Sequence, residues 1–317
     1  MQMIKFGVLL LKKPNYNATV KEKIFLLAVA FALFVFSACK SAPSAPDVDI
    51  LDLVDSSSPL LIYFPVKSNE EFLKYAFSTI AALEESSAEK IVNRTDYVAL
   101  AVPAEKKNFQ IAMRGTYPAI GIKSALSEKK GFLKNTCKET TFPYSYYENQ
   151  QNALQISSPD SNTICVSSTV SPLLVNYENQ VNKILDSTQT SQDNKKEDAF
   201  RSLDEKIYKY LTENESGEIR FYSTSPTSFI SYFLGKVTNL GLNSLMGTLS
   251  NSKKENTFAL RLELELSNPA TAKAVCAMLK LALFPVPAKI VQTTSSKIVI
   301  TDISLTWNKL IKLIEIG

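Results

Sequence analysis

Residues 258–266 have the sequence FALRLELEL, which indicates the class of fold. Phe258 and four leucines occupy every second position, and Arg261, Glu263 and Glu265 lie between the leucines. Because successive side chains of a strand point to opposite faces, this pattern predicts a β-strand with one buried face and one face in water. Strands of this kind are typical of antiparallel sheets that helices cover on one face.

The segments around this strand predict alternating strands and helices. A turn-forming segment, SNSKKEN, connects it to an earlier strand at residues 245–249. Asn268 precedes a proline and predicts the start of a helix, because an Asn side chain caps free backbone N–H groups. A hairpin of residues 288–293 and 296–301 follows, and apolar spacing predicts a last helix at residues 307–316.

The first half of the chain predicts the same order of elements. It begins with an apolar strand, LLIYFP at residues 60–65, and an amphipathic helix at residues 69–84. A hairpin of residues 97–102 and 109–114 comes next, and a helix at residues 172–185 closes the half. Because both halves follow the order strand, helix, hairpin, helix, hairpin, helix, the predicted fold class is α+β. It consists of two similar halves, each an antiparallel sheet with helices packed on one face.

Two polar segments predict the domain boundaries. Residues 187–198, STQTSQDNKKED, contain no large apolar side chain and predict a linker between a first domain at 60–186 and a second at 199–317. Residues 39–59 are rich in Ser, Ala, Pro and Asp and predict a flexible tether. The aspartates of this tether lack the Gly and Glu of a calcium loop, so we expect them to be solvated.

The N-terminal stretch at residues 21–40, KEKIFLLAVAFALFVFSACK, predicts the cellular compartment. Two lysines precede an apolar run, and Ser37 and Ala38 lead into Cys39. The run is shorter than the ~20 residues that a membrane-spanning helix needs, so it predicts a cleaved signal peptide rather than an uncleaved anchor or a buried helix. Residues 1–20 fit such a signal poorly, whereas a start at Val20 would give a compact one.

This stretch resembles the lipobox of signal-peptidase-II substrates, although Phe36 stands where Leu is more common. Relaxed lipoboxes of this kind occur in spirochaetes, and the chain resembles uncharacterised lipoproteins of treponemes over residues 21–40. The resemblance implies a signal peptide at 1–38, cleavage before Cys39, and fatty acids such as palmitate on Cys39. Two or three acyl chains anchor a protein to a membrane essentially permanently.

The charge of the chain belongs to the predicted signal. The chain has 35 Lys and Arg and 31 Asp and Glu, and five of the lysines and one glutamate precede Cys39. The remainder has 30 basic and 30 acidic side chains and no net charge. Nucleic-acid binding therefore has no electrostatic support, and no glycine-rich phosphate loop predicts a nucleotide.

The chain contains no histidine, which excludes Ser-His-Asp and Cys-His catalysis. Two Ser-x-x-Lys motifs, Ser87 with Lys90 and Ser127 with Lys130, match a Ser-Lys enzyme only formally, because its partner motifs are absent. We therefore expect a protein without catalytic activity, cofactor or bound metal.

Three cysteines follow Cys39 and predict at least one free thiol. Cys137 and Cys165 flank a polar segment and predict a disulfide, whereas Cys276 lies in a helix beside a face marked by Lys273 and Lys280 and predicts a packing residue.

A tyrosine-rich segment at residues 142–151, FPYSYYENQQ, is the candidate contact surface. Tyr144, Tyr146 and Tyr147 are suited to stacking on sugars or to a protein-binding patch. The alternative, which the period-2 spacing favours, is a strand whose Phe142, Tyr144 and Tyr146 pack inward.

Together these features predict a lipid-anchored lipoprotein of the cell envelope that acts as a binding or structural module. Its partners are the membrane, through the acyl chains, and an unidentified protein or glycan. The anchor leaves open the inner or the outer membrane, and a periplasmic or surface-exposed body. The alternatives are a periplasmic assembly factor whose sheet edge captures extended chains, or a hydrolase that needs no histidine.

Overall fold

The apolar run LLIYFP forms strand β1 (Leu60–Pro65) at the middle of the fold. The computed structural model describes residues 46–80, 85–103, 109–149, 154–189, 203–213, 217–227, 240–284 and 287–315. Among these, β1 pairs antiparallel with one neighbour through Val102 and with another through Ser223. Leu61 and Phe64 are buried on opposite faces, as a run of apolar residues without alternation predicts.

Twelve strands of the described residues form one continuous sheet in which every pair of neighbours is antiparallel. After β1 the strands are β2 (Thr95–Val102), β3 (Gln110–Gly115), β4 (Phe132–Thr136), β5 (Ser145–Asn149), β6 (Gln155–Ser157), β7 (Thr163–Ser167), β8 (Ile219–Ser223), β9 (Leu242–Asn251), β10 (Thr257–Leu266), β11 (Lys289–Gln292) and β12 (Lys297–Thr306). Their order across the sheet is β11-β12-β10-β9-β8-β1-β2-β3-β7-β6-β5-β4. The strands of the second half thus continue the sheet of the first half through the pairing of β1 with β8.

Seven helices lie among the described residues. They are α1 (Glu70–Ile80), α2 (Glu85–Val92), α3 (Ala119–Ala125), α4 (Ser171–Gln189), α5 (Glu205–Thr212), α6 (Ala272–Ala282) and α7 (Trp307–Glu315). Short 3₁₀ turns occur at Ile50–Asp52, Glu128–Lys130 and Pro269–Thr271.

The first core lies on the sheet face that α1, α6 and α7 cover. The buried leucines of β10, predicted from the FALRLELEL pattern, belong to it. Phe72 of α1 packs edge-on against Phe258, with ring centroids 5.0 Å apart, and against Trp307, at 5.6 Å. The Phe72 side chain therefore connects α1, which follows β1 in the sequence, with both β10 and α7.

The second core lies on the opposite face, under α4 and α5. Leu173 and Leu174 of α4 and Leu211 of α5 are fully buried there. The strands beneath them carry alanines, such as Ala99 and Ala112, whose small side chains let the covering segments approach the sheet closely. Because α4 and α5 come from the two predicted halves, both halves contribute to this core.

The α+β class is confirmed, but the halves are not two separate sheets. The described residues from Pro46 onward form one compact unit, in which one sheet and both cores contain residues of the predicted domains at 60–186 and 199–317. The physical reason is the pairing of β1 with β8, which no local pattern indicates. Of the predicted linker, residues 190–198 lie outside the described residues, as do the predicted signal at 1–38 and Cys39.

The predicted tether at 39–59 is wrong from residue 46 onward. Its described part, which we call the strap (residues 46–55), is packed into the second core, where Ile50, Leu51 and Leu53 are 4, 2 and 0% exposed. The aspartates suggested a solvated segment, but the apolar residues between them recur at a spacing of three and face the sheet. Asn176 of α4 fixes the strap by donating a hydrogen bond to the Leu53 carbonyl at 2.9 Å.

Candidate functional site

The predicted disulfide is not formed in this structure, where Cys137 and Cys165 are both buried free thiols. Cys165 lies on β7, and Cys137 follows β4, with β5 and β6 between these strands in the sheet. Three strand spacings of about 4.8 Å exceed the distance that a disulfide bridges. Cys137 Sγ instead donates to Glu139 Oε2 at 3.3 Å, and burial raises the pKa of the Cys165 thiol.

The third thiol, Cys276, packs partly against the first core on α6, in agreement with its predicted packing role. Burial raises its pKa, and the nearby Lys280 ammonium opposes this effect. A thiol whose pKa is raised is a poor nucleophile, so neither Cys165 nor Cys276 has the features of a reactive cysteine.

The tyrosines of the candidate contact surface do not share one face. Tyr144 and Tyr146 pack against the second core, as the inward-packing alternative predicts. Tyr147 points to the opposite face, because adjacent residues of a strand alternate. Phe142 remains 60% exposed, with its ring centroid 4.9 Å from that of Tyr144. The structure therefore leaves Phe142, rather than three tyrosines, as the exposed aromatic side chain of this segment.

Carboxylates near this segment hold backbone and side-chain donors in place. Glu178 accepts hydrogen bonds from the backbone N–H groups of Thr141, at 2.9 Å, and Phe142, at 2.7 Å. Glu139 accepts from Cys137, from Ser171 and from the backbone, and these hydrogen bonds lower its pKa. A carboxylate whose pKa is lowered stays ionised, so Glu139 is a poor general acid.

A third carboxylate, Asp160, is the partner of a buried tyrosine. Tyr177 Oη donates to Asp160 Oδ2 at 2.6 Å, and burial raises the pKa of Tyr177. Asp160 also accepts from the backbone N–H of Asn162 at 2.6 Å and so fixes the turn before β7. This geometry supports a structural role for each of the three carboxylates.

The lysines of the two Ser-x-x-Lys motifs, Lys90 and Lys130, lie at the surface. Ser87 and Lys90 belong to α2, and Ser127 precedes the 3₁₀ turn that contains Lys130. Both lysines are exposed, so nothing desolvates their ammonium groups as a Ser-Lys mechanism requires. Among the described residues, no three metal-ligating side chains cluster, and no helix is long and apolar enough to cross a membrane.

The feature that sequence reasoning missed is the outer face of α6. Ala272, Val275 and Leu279 bury one side of this helix in the first core. On the other side, Met278 is 41% exposed and Leu281 77% exposed, and Phe284, just beyond the helix, is 87% exposed. These large apolar side chains recur at a spacing of three and therefore form one exposed patch. A contiguous exposed apolar patch is typical of a surface that contacts a partner or a membrane.

Two lysines border these apolar side chains. Lys273 and Lys280 are exposed and lie one heptad apart, and Lys280 precedes Phe284 by four residues, which places them on neighbouring turns. We refer to Lys273, Met278, Lys280, Leu281 and Phe284 as the α6 surface. The signal in the sequence was the near absence of polar residues from ATAKAVCAMLKLALF, since a helix with one buried face needs fewer apolar positions.

Comparison with known proteins assigns the chain to a family. The model of the family described as outer membrane-associated lipoprotein TP0453 matches residues 45–311. The chain belongs to this family. Over 114 residues, 35% of this chain, it is 32% identical to the outer membrane protein TP0453 of Treponema pallidum (strain Nichols), and that match spans 37% of the relative's length.

The solved structures of TP0453 share the fold. Crystal form I aligns with a TM-score of 0.60 at 24% identity, over 84% of this chain and 97% of that chain. Crystal form III aligns with a TM-score of 0.61 at 23% identity, over 84% and 98% of the two chains. Membership of this family confirms the predicted resemblance to spirochaete lipoproteins and a membrane-associated place in the cell envelope.

Proposed function

We propose that the chain is anchored by acyl groups on Cys39 and that its folded body rests against the membrane through the α6 surface, as a non-enzymatic structural or binding module. The observation that carries the proposal is the exposure of Leu281 and Phe284 beside a helix whose other face is buried in the first core. The family description, outer membrane-associated lipoprotein, agrees with a body that touches a membrane.

The buried strap supports this arrangement. Because the chain folds into the second core from Val48 onward, fewer than ten residues separate Cys39 from the body. A segment of that length spans at most about 3.5 Å per residue, or roughly 30 Å. The anchor therefore keeps the body at the membrane and raises the effective concentration of its surface there.

The energy of the contact is adequate for a second attachment. Complete burial of a Leu or Phe side chain contributes about 1.5–3 kcal/mol, and an exposed patch at an interface gains part of this for each side chain. The acyl chains anchor the protein by themselves, so the α6 surface is a second contact that holds the folded body against the membrane.

The first test concerns the anchor. Cells that express the full chain are grown with labelled palmitate, and we expect label in the wild type and none in Cys39→Ala. Label in both proteins would contradict acylation at Cys39.

The second test concerns the body, with a chain that begins at residue 40 and carries no acyl group. We expect it to float with vesicles of phosphatidylcholine containing a minority of phosphatidylglycerol, and Leu281→Ser/Phe284→Ser to bind roughly 10- to 100-fold more weakly. Val291→Thr removes another partly exposed apolar side chain, on β11, and serves as the matched control. Equal binding by the double variant would contradict the proposed contact.

A further inference from the structure

We infer that the α6 surface recognises anionic lipid headgroups, with Lys273 and Lys280 contacting their phosphates. The inference rests on the proposed membrane contact and names the lipid class that this contact selects. It follows from the distribution of charge around the helix.

The segment that contains α6 is uniformly basic. Residues 266–301 include four lysines, Lys273, Lys280, Lys289 and Lys297, and no aspartate, glutamate or arginine. The remainder of the chain after Cys39 is therefore acidic, since basic and acidic side chains balance over the whole of it. A positive region on a body without net charge predicts an anionic partner at this region rather than non-specific binding over the whole surface.

The two lysines of the α6 surface have no acidic partner among the described residues. The ion pairs of the described residues involve other lysines and arginines, such as Lys74 with Glu71 and Arg261 with Glu263. Lys297, by contrast, stands opposite Glu265 in the ladder of β12 and β10, and its side chain points away from the first core. Lys273 and Lys280 are thus the lysines that flank the apolar patch and form none of the ion pairs found among the described residues.

The arrangement of apolar and basic groups favours a lipid surface over other polyanions. Leu281 and Phe284 enter the boundary between headgroups and acyl chains, while the long stem of Lys280 places its ammonium at the level of the phosphates. A nucleic acid would contact the lysines and leave the apolar side chains in water. An anionic bilayer satisfies both kinds of group at once.

The experiment compares vesicles of phosphatidylcholine alone with vesicles that also contain phosphatidylglycerol, using the chain that begins at residue 40. Each lysine near an anionic surface contributes roughly a fivefold increase in affinity, so we expect Lys273→Gln/Lys280→Gln to weaken binding to the anionic vesicles about 25-fold. Binding to neutral vesicles should change less than about twofold, and added salt should weaken only the anionic component.

The control variant is Lys253→Gln/Lys254→Gln, which removes the same charge from the exposed turn between β9 and β10. We expect it to reduce binding less than about threefold. All four lysines are exposed, so both variants should fold, which circular dichroism checks.

The outcomes separate the inference from the proposed function. Equal affinity for neutral and anionic vesicles, with loss in Leu281→Ser/Phe284→Ser, would overturn the inference and leave the membrane contact standing. An equal loss in both lysine variants would overturn it too, because the effect would then follow net charge. Absence of binding to either kind of vesicle would overturn both the contact and its lipid class.

Discussion

The strap and α6 differ in opposite directions from the burial that their compositions suggest. The strap contains four aspartates, yet Leu51 and Leu53 are among the most buried side chains of the protein. Helix α6 contains no acidic residue, yet Leu281 and the adjoining Phe284 lie in water. The difference shows that burial depends on which positions face the sheet and not on how apolar a segment is overall.

The aspartates of the strap explain how an acidic segment tolerates burial. Asp49 accepts a hydrogen bond from the backbone N–H of Leu51 at 2.9 Å and another from Tyr208 Oη. Asp47 pairs with Arg114 at 2.6 Å from a position that is 93% exposed. Asp47 and Asp49 thus stay at the rim of the second core and Asp52 is buried, while the apolar residues between the aspartates enter the core.

The largest effect should come from emptying the strap. Leu51→Ala/Leu53→Ala removes two fully buried side chains and should lower the free energy of unfolding by about 4 kcal/mol or more, because each deletion leaves a cavity. Urea denaturation measures the change. Asp47→Asn, which alters only an exposed ion pair of the same segment, should cost less than about 1 kcal/mol. Similar costs for the two variants would mean that the strap does not support the fold.

A pair of substitutions on α6 separates its two faces. Leu279→Ala should cost about 2–5 kcal/mol, since Leu279 is 1% exposed, whereas Leu281→Ala, two residues further on, should change stability by less than about 0.5 kcal/mol. Denaturant midpoints of the two variants, measured without lipid, give the comparison. A large cost for Leu281→Ala would show that a protein contact covers this side chain in solution.

A smaller effect should follow from Asn176→Ala on α4. The substitution removes the donor to the Leu53 carbonyl and should cost about 1–2 kcal/mol, because a partly buried acceptor loses its partner. Hydrogen exchange should show faster exchange of strap amides, with β10 amides unchanged. Faster exchange throughout the protein would contradict a local role for this bond.

The smallest effect concerns pH. Burial, and to a lesser degree the Asp49 carboxylate of the strap, raises the pKa of Tyr63 above its ordinary value of 10.0. The folded state therefore retains a proton that the unfolded chain releases, so this contribution to stability is complete below about pH 10 and is lost as the pH rises further. We expect wild type to lose roughly 1 kcal/mol more than Tyr63→Phe between pH 9 and pH 11 in urea denaturation. Parallel profiles would show that Tyr63 does not titrate differently in the two states.

Local patterns predicted most elements of the fold. The bounds of β1 and the hairpin of β2 and β3 agree with the apolar runs, and α6 begins after Asn268, whose side chain accepts from the N–H of Ala270 at 3.0 Å. Local patterns could not predict the strand order, because β1 and β8 are far apart in the sequence and pair only in the folded chain. This pairing joins the strands of the two predicted domains into one sheet.

The candidate sites were harder to predict because they depend on exposure. Alternation correctly separated Tyr146 from Tyr147, but the spacing of Cys137 and Cys165 carried no information about the two strands between them. The apolar spacing within the strap was present in the sequence, but the aspartates outweighed it. The α6 surface was missed because a helix that is apolar on more than one face shows its buried and exposed sides only after docking.

The position of β1 also sets the order in which the molecule can assemble. Leu60 pairs with Val102 on one side and with Ser223 on the other, so the middle of the sheet stays open until most of the chain is present. Pairings so distant in sequence slow folding, because the chain loses the entropy of closing a long loop before the contact contributes any stability. Until β8 is available to pair, β1 has a free apolar edge, and we expect the nascent protein to be most prone to aggregation during this interval.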